Sequence, residues 1–152
     1  RTMYAQGRIA IVEGDLLKDK AVRSVGRAVR DLGTVVRIYY PSNAEEMWSK
    51  FPTAYRMNVL SLPFDERSIA LRTIWANTYP KGRKQRFWHP LTPGIYWHYV
   101  VHGALDYQKK LQYPDYDEID AWKEERLPTE SRLLSVINLP GSVPPLAGDA
   151  KK

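Results

Sequence analysis

Five side chains have the types to hold a small polar ligand: Asp15, Ser42, Asn43, Arg72 and Thr73. Each stands at or near the end of a run with strand character, after Val12-Glu13-Gly14, after Tyr39-Tyr40-Pro41, and within Ser68 to Trp75. In an open α/β sheet the ligand crevice lies beyond the carboxyl ends of parallel strands, which is where such residues would gather. Asp15 can orient a hydroxyl or amine, Ser42 and Asn43 can hydrogen-bond, and Arg72 can grip a carboxylate or phosphate with two parallel N–H groups. The bland alternative makes Asp15 a turn residue, Ser42 a helix cap and Arg72 an ion-pair partner.

A second group, Lys81, Arg83, Lys84 and Arg86 beside Phe87 and Trp88, combines cations for phosphate with rings that can stack on bases. The same composition also suits a flexible hairpin connection. A third, His98, His102 and Asp106, recurs every four residues and on one continuous helix would form a metal-ligand stripe. On a strand at 95 to 101 the stripe does not exist, and no metal site is expected. No G-x-S-x-G elbow, G-x-G-x-x-G turn or P-loop occurs, so no catalytic residue is assigned.

The elements that would position these groups begin with a short strand at about 8 to 13, Arg-Ile-Ala-Ile-Val-Glu, closed by Gly14 and Asp15. From about Asp19 to Leu32 the period becomes 3.6, with Val22, Val25, Val29 and Leu32 on one apolar face and Gly33 where a C′ glycine belongs. Lys20, Arg23, Arg27 and Arg30 lie on the other face, as a solvated surface or a phosphate contact. Thr34 to Tyr40 reads as a strand covered on both faces, ended by Pro41. Ser42 and Glu45 stand at capping-box spacing, so a helix is expected near Asn43, running to about Lys50 before Pro52.

Residues 53 to 62 are ambiguous, a loop with one helical turn. Ser68 to Trp75 reads as a third strand, giving β-α-β-α-β with parallel strands and crossover helices. Residues 77 to 94 form a basic, aromatic loop. A strand at 95 to 101, antiparallel to 68 to 74, is preferred over one helix from 95 to 112, and 104 to 112 then reads as a helix. A short amphipathic helix is expected in 115 to 126 and a short element at Leu133 to Ile137. One domain spans 1 to 139, and the Pro- and Gly-rich tail, 140 to 152, has no face to bury.

Composition bounds the class. With 152 residues and 43% hydrophobic content the chain suits one domain with a real core. No cysteine is present, which excludes disulfides, thiolate zinc and a Cys nucleophile, and suits a cytoplasmic location. No apolar run approaches a bilayer span and no signal segment is read at Arg1 to Tyr4, so a soluble protein with no membrane partner is expected. The net charge of +6 and pI near 9.5 suit an anionic partner, although 17 acidic residues are spread among 23 basic ones. Five Trp and ten Tyr suit an extended partner contact. A start on Arg rather than Met is expected of a piece of something longer.

Three stretches carry a resemblance: Val12-Glu-Gly-Asp-Leu16, Ile38-Tyr-Tyr-Pro-Ser-Asn-Ala-Glu-Glu-Met-Trp48 and Leu62-Pro-Phe-Asp-Glu-Arg-Ser-Ile-Ala-Leu-Arg-Thr73, with Trp97-His-Tyr-Val-Val101 as an extension. Together they resemble the C-terminal half of a poorly characterised bacterial family with a class I methyltransferase-like Rossmann fold. The resemblance implies an α/β, Rossmann-like, mostly parallel sheet with an antiparallel final strand, an incomplete half of the fold. The glycine-rich S-adenosylmethionine loop and the acidic ribose ligand of such folds belong to the other half. That cofactor is therefore expected only if a partner chain or a missing N-terminal segment supplies the rest.

Two functional expectations follow. The first is a half-domain that completes a fold or site with another protein chain or a second copy of itself. The second is a non-enzymatic basic subunit that contacts a larger assembly or nucleic acid.

Overall fold

The computed structural model describes residues 2–48, 50–75, 97–114, 116, 127–131 and 133–139. The basic loop with Lys81 to Trp88, the helix expected in 115 to 126 (Tyr116 aside) and the tail from 140 lie outside the described residues. Within them the chain is α/β, built on one open, mixed sheet. Its elements are α1 (Thr2–Ala5), α2 (Ala21–Asp31), β1 (Ile38–Ser42), a 3-10 turn (Ala44–Met47), α3 (Thr53–Leu60), β2 (Ile69–Trp75), β3 (Trp97–Gly103), α4 (Ala104–Leu111), β4 (Leu127–Pro128) and β5 (Leu134–Ile137).

The strand order is β1-β2-β3-β5-β4. β1 and β2 are parallel, joined across α3, as the alternation of apolar runs predicts. β3 runs antiparallel to β2 from Ile69 opposite Gly103 to Trp75 opposite Trp97, so the strand reading of 95 to 101 holds and a single 95 to 112 helix does not form. Beyond it β5 is parallel to β3 and β4 antiparallel to β5, which makes the sheet mixed rather than mostly parallel. The short element expected at Leu133 to Ile137 is β5.

Register assigns the faces. Tyr39, Ala70, Arg72, Ile74, His98, Val100, His102, Ser135 and Ile137 share one side, because directly paired residues project together. That side is the covered one: Phe51, Tyr55, Val59, Tyr107, Leu111 and Tyr116 join Ala70, Ile74, Val100 and Ile137 in one buried cluster. Polar side chains brace the helices over it. Gln108 donates to the carbonyls of Val59 and Leu62 at the end of α3, and Arg56 donates to those of Leu111, Tyr113 and Tyr116. Ile38, Tyr40 and Tyr99, on the opposite side, are exposed.

Four expectations about the first half are corrected. Residues 8 to 13 form no strand and are exposed, Ile11 at 90%. β-propensity alone does not hold a strand that has no neighbour to pair with. Pro41 does not end its strand but sits buried inside β1, tolerated because it falls in the register shift between Tyr39 and Ser42, where the ladder to β2 is interrupted. The capping box is not made: Ser42 adopts φ +59° at a register shift, and its place is followed by a 3-10 turn. The ambiguous stretch after Pro52 is a two-turn helix, α3, with Tyr55, Asn58 and Val59 buried.

The α2 helix forms where its period predicts, with Gly33 at φ +65° just past its end. Its buried side is different from the one expected. Gly26 is its buried residue, because a Cβ there would stand 2.7 Å from the Ser61 carbonyl oxygen of the α3 terminus. Arg23 donates to Asn58 and Arg30 to the Ser61 carbonyl, so two of the four cations expected in solvent seat α2 on α3. Val25 and Leu32, on the apolar stripe, are left exposed, Leu32 at 78%. Close backbone approach at a glycine, flanked by two guanidinium anchors, outweighs burial of the stripe.

Candidate functional site

The structure splits the five predicted ligand residues. Ser42 and Thr73 meet at the carboxyl ends of β1 and β2, their hydroxyl oxygens 3.4 Å apart, and Asn43 lies beside them with its Oδ1 3.5 Å from the Ser42 hydroxyl. Arg72 belongs to the opposite, covered side of β2 and is fully buried. Asp15 accepts the Leu17 N–H in a tight turn that is exposed. This turn is tied to α3, because the Asn58 side chain donates to the carbonyls of Leu16 and Lys18 at 2.8 and 2.7 Å.

A denser constellation lies under the helices. Arg72 stands in an otherwise apolar run, and a buried guanidinium requires an anion. Glu45, delivered from the 3-10 turn, supplies it: its Oε2 is 3.6 Å from the Arg72 guanidinium, and both side chains are buried. The other carboxylate oxygen, Oε1, accepts the hydroxyls of Tyr55, at 2.7 Å, and Tyr107. Tyr39 in turn donates to the Tyr55 hydroxyl at 3.2 Å. The Arg72 guanidinium also stacks over the Tyr107 ring, 4.3 Å from its centre.

His102 extends the network. A guanidinium can only donate, so Arg72 donates to His102 Nδ1 at 2.5 Å, which fixes the proton on Nε2, and Nε2–H donates to Asp106 at 2.7 Å. Asp106 is partly exposed and pairs with Lys110 at 3.2 Å. Parallel to this, His98 Nε2 lies 2.9 Å from the Ser135 hydroxyl, across β3 and β5.

Electrostatics favour one protonation pattern. Burial pushes the Tyr39, Tyr55 and Tyr107 hydroxyls well above their ordinary range, the nearby Glu45 charge adding to it, so all three remain donors. Burial, with the Arg72 charge, brings His102 down to about 3 against the pull of Asp106, so the imidazole is neutral. Burial works against ionising Asp106, but the His102 and Asn138 hydrogen bonds and Lys110 outweigh it and hold its carboxyl below the usual range. Burial likewise disfavours the Arg72 charge, and Glu45 with the tyrosines overcomes that. Neutral, doubly occupied His102 has no lone pair left for a substrate. The network therefore holds β2, β3, the 3-10 turn, α3 and α4 together.

This constellation escapes motif reading because its members come from positions 39, 45, 55, 72, 102, 106 and 107 with no common spacing. The signal that points to it is Arg72 inside Ile-Ala-Leu-Arg-Thr-Ile, a charge on a strand otherwise built for burial. The stripe that one continuous helix would make is broken at the β3–α4 junction, with His98 and His102 on the strand and Asp106 on the helix. Among the described residues no three His, Asp or Glu side chains converge on a metal position, and no helix is long and apolar enough to cross a membrane. Toward S-adenosylmethionine, the described ends of β1 and β2 offer hydroxyls and one amide, with Glu45 turned inward. They do not supply a glycine turn or a ribose carboxylate, which the resemblance places in the other half, and no methyl-transfer step is assigned to them.

One family model, described as a domain of unknown function (DUF7790), matches residues 1–138. No curated protein matches the chain.

Proposed function

We propose, for a chain that belongs to the DUF7790 family, that it is an assembly domain: one section of a methyltransferase-like, Rossmann-like α/β sheet that another polypeptide completes. One observation carries this reading. Among the described residues β1 is an edge strand, and the side of the sheet away from α3 and α4 presents Ile38 and Tyr40 on it, 61% and 51% exposed, and Tyr99 on β3, 39% exposed. Exposed aliphatic and aromatic side chains on an edge strand are a partner surface in a stable protein and an aggregation site in an unpartnered one. Ser42 and Asn43, at the end of β1, with the buried Thr73 hydroxyl behind them, then form this chain's share of a ligand crevice completed across the joint.

The test is substitution on that surface. Tyr40→Lys is expected to leave the melting temperature of the dilute chain within a degree or two, because an exposed residue contributes within about 0.5 kcal/mol, and to weaken concentration-dependent association seen by light scattering. A loss above about 2 kcal/mol with no association in the parent chain would mean that the chain covers this surface itself.

A further inference from the structure

Residues 8 to 13 are six consecutive strand-favouring or tolerated positions, Arg-Ile-Ala-Ile-Val-Glu, all exposed and paired with no described strand. Ile9, Ile11 and Val12 are 51%, 90% and 56% exposed. Glycines bracket the segment, Gly7 at φ +64° and Gly14 packed against Ala21. On its C-terminal side the chain is pinned, because Asn58 holds the Leu16 and Lys18 carbonyls against α3. The segment is thus a strand-forming arm attached at one end to a fixed point.

A matching acceptor exists on β1. The Arg37 carbonyl accepts the Ile69 N–H on the inner side, so the alternation of the strand turns the N–H and C=O of Ile38 and Tyr40 outward. No described strand lies beyond them. Ile38 and Tyr40 would flank an arriving strand on the open side of the sheet, and both of its faces are apolar: Ile9 and Ile11 on one, Ala10 and Val12 on the other. A single chain contains both halves of this pair yet leaves each exposed.

We infer that residues 8 to 13 are a donor strand that adds to the β1 edge of a second copy of this chain, reciprocally, giving a two-fold dimer. The inference rests on the assembly reading above and names its partner. A reciprocal exchange satisfies two edges at once and is closed, so it explains how an exposed edge and an exposed strand-prone arm coexist in one sequence.

The experiment exploits the absence of cysteine. Chains carrying Ile11→Cys and chains carrying Tyr40→Cys are mixed and oxidised, and a two-chain disulfide product is expected, with a dimer mass for the parent chain by light scattering. Separate Ala10→Pro and Ile11→Pro variants control for register, since alternate N–H groups face the acceptor. One of the two raises the dimer dissociation constant at least about tenfold by removing a ladder donor. Both sites are exposed in the single chain, and unchanged circular dichroism confirms that the variants fold. Association that persists in both proline variants, with no mixed disulfide, overturns the donor-strand inference and leaves the assembly reading standing. A double Ile11→Cys, Tyr40→Cys chain that closes on itself as a monomer overturns the second-copy source. A strictly monomeric parent overturns the dimer, and the Tyr40→Lys melting result then decides the assembly reading separately.

Discussion

Arg72 and Glu45 form an ion pair 3.6 Å apart beneath α3 and α4, with side-chain exposures of 0% and 2%. Such a pair contributes little against a well-packed apolar substitute, but removing one member strands the other in a medium that cannot solvate it. Glu45→Gln is therefore expected to cost about 3–5 kcal/mol in urea unfolding. Glu45→Gln combined with Arg72→Met should recover a substantial part of that loss. A single substitution no worse than a surface change would show that the pair is solvated.

His102 gives the fold a pH dependence with a definite sign. Its folded pKa, about 3, lies below the ordinary value of 6.5, so the unfolded chain binds the proton first. The neutral imidazole contributes its full stability above about pH 6.5, and that contribution drains away as the pH falls toward 3. The slope from this one group reaches at most about 1.4 kcal/mol per pH unit. His102→Gln should flatten the stability profile between pH 6 and 4 relative to the parent chain. Parallel profiles for the two proteins would remove His102 as the cause.

Helix propensity and packing oppose each other at Gly26. Alanine is favoured over glycine in a helix by about 1 kcal/mol, but its Cβ would sit 2.7 Å from the Ser61 carbonyl oxygen. Backbone must then move, and overpacking of this kind costs about 1–3 kcal/mol. Gly26→Ala is expected to lower the thermal midpoint, and Gly26→Val to lower it further. A rise with alanine would mean that α2 slides on α3 without penalty.

Asn58 serves three partners at once: two main-chain carbonyls and the Arg23 side chain. At about 1 kcal/mol each these bonds predict a loss of about 2–4 kcal/mol for Asn58→Ala. Hydrogen exchange should accelerate at residues 14 to 20 well before the amides of β2 and β3. Uniform acceleration across the chain would show that the clamp is part of the global unit.

How far the fold was legible depends on whether each element's burial is decided locally. β2, β3 and α4 are visible in sequence because Ile69 to Trp75 and Trp97 to Gly103 are dense in β-branched and aromatic residues, and a helical period follows. The segment at 8 to 13 reads equally well as a strand, yet pairing is a property of the neighbour, which no local pattern encodes. α2 was legible as a helix but not in its orientation, since Gly26, Arg23 and Arg30 are read as polar or neutral until α3 is placed against them. Of the candidate crevice, Ser42 and Thr73 stand close, their hydroxyl oxygens 3.4 Å apart. Arg72 does not join them, because strand alternation puts it on the other side of β2 from Thr73.

The register shift between Tyr39 and Ser42, with Pro41 inside it, also limits what the edge can become. An incoming strand finds outward peptide groups at Ile38 and Tyr40, then a residue without an N–H and a backbone turned out of line at Ser42. Templated growth of a fibre needs a long, uninterrupted row of such groups on every added layer. This edge is too short to propagate one, so a chain that accepts a strand here terminates the stack at two rather than seeding a filament.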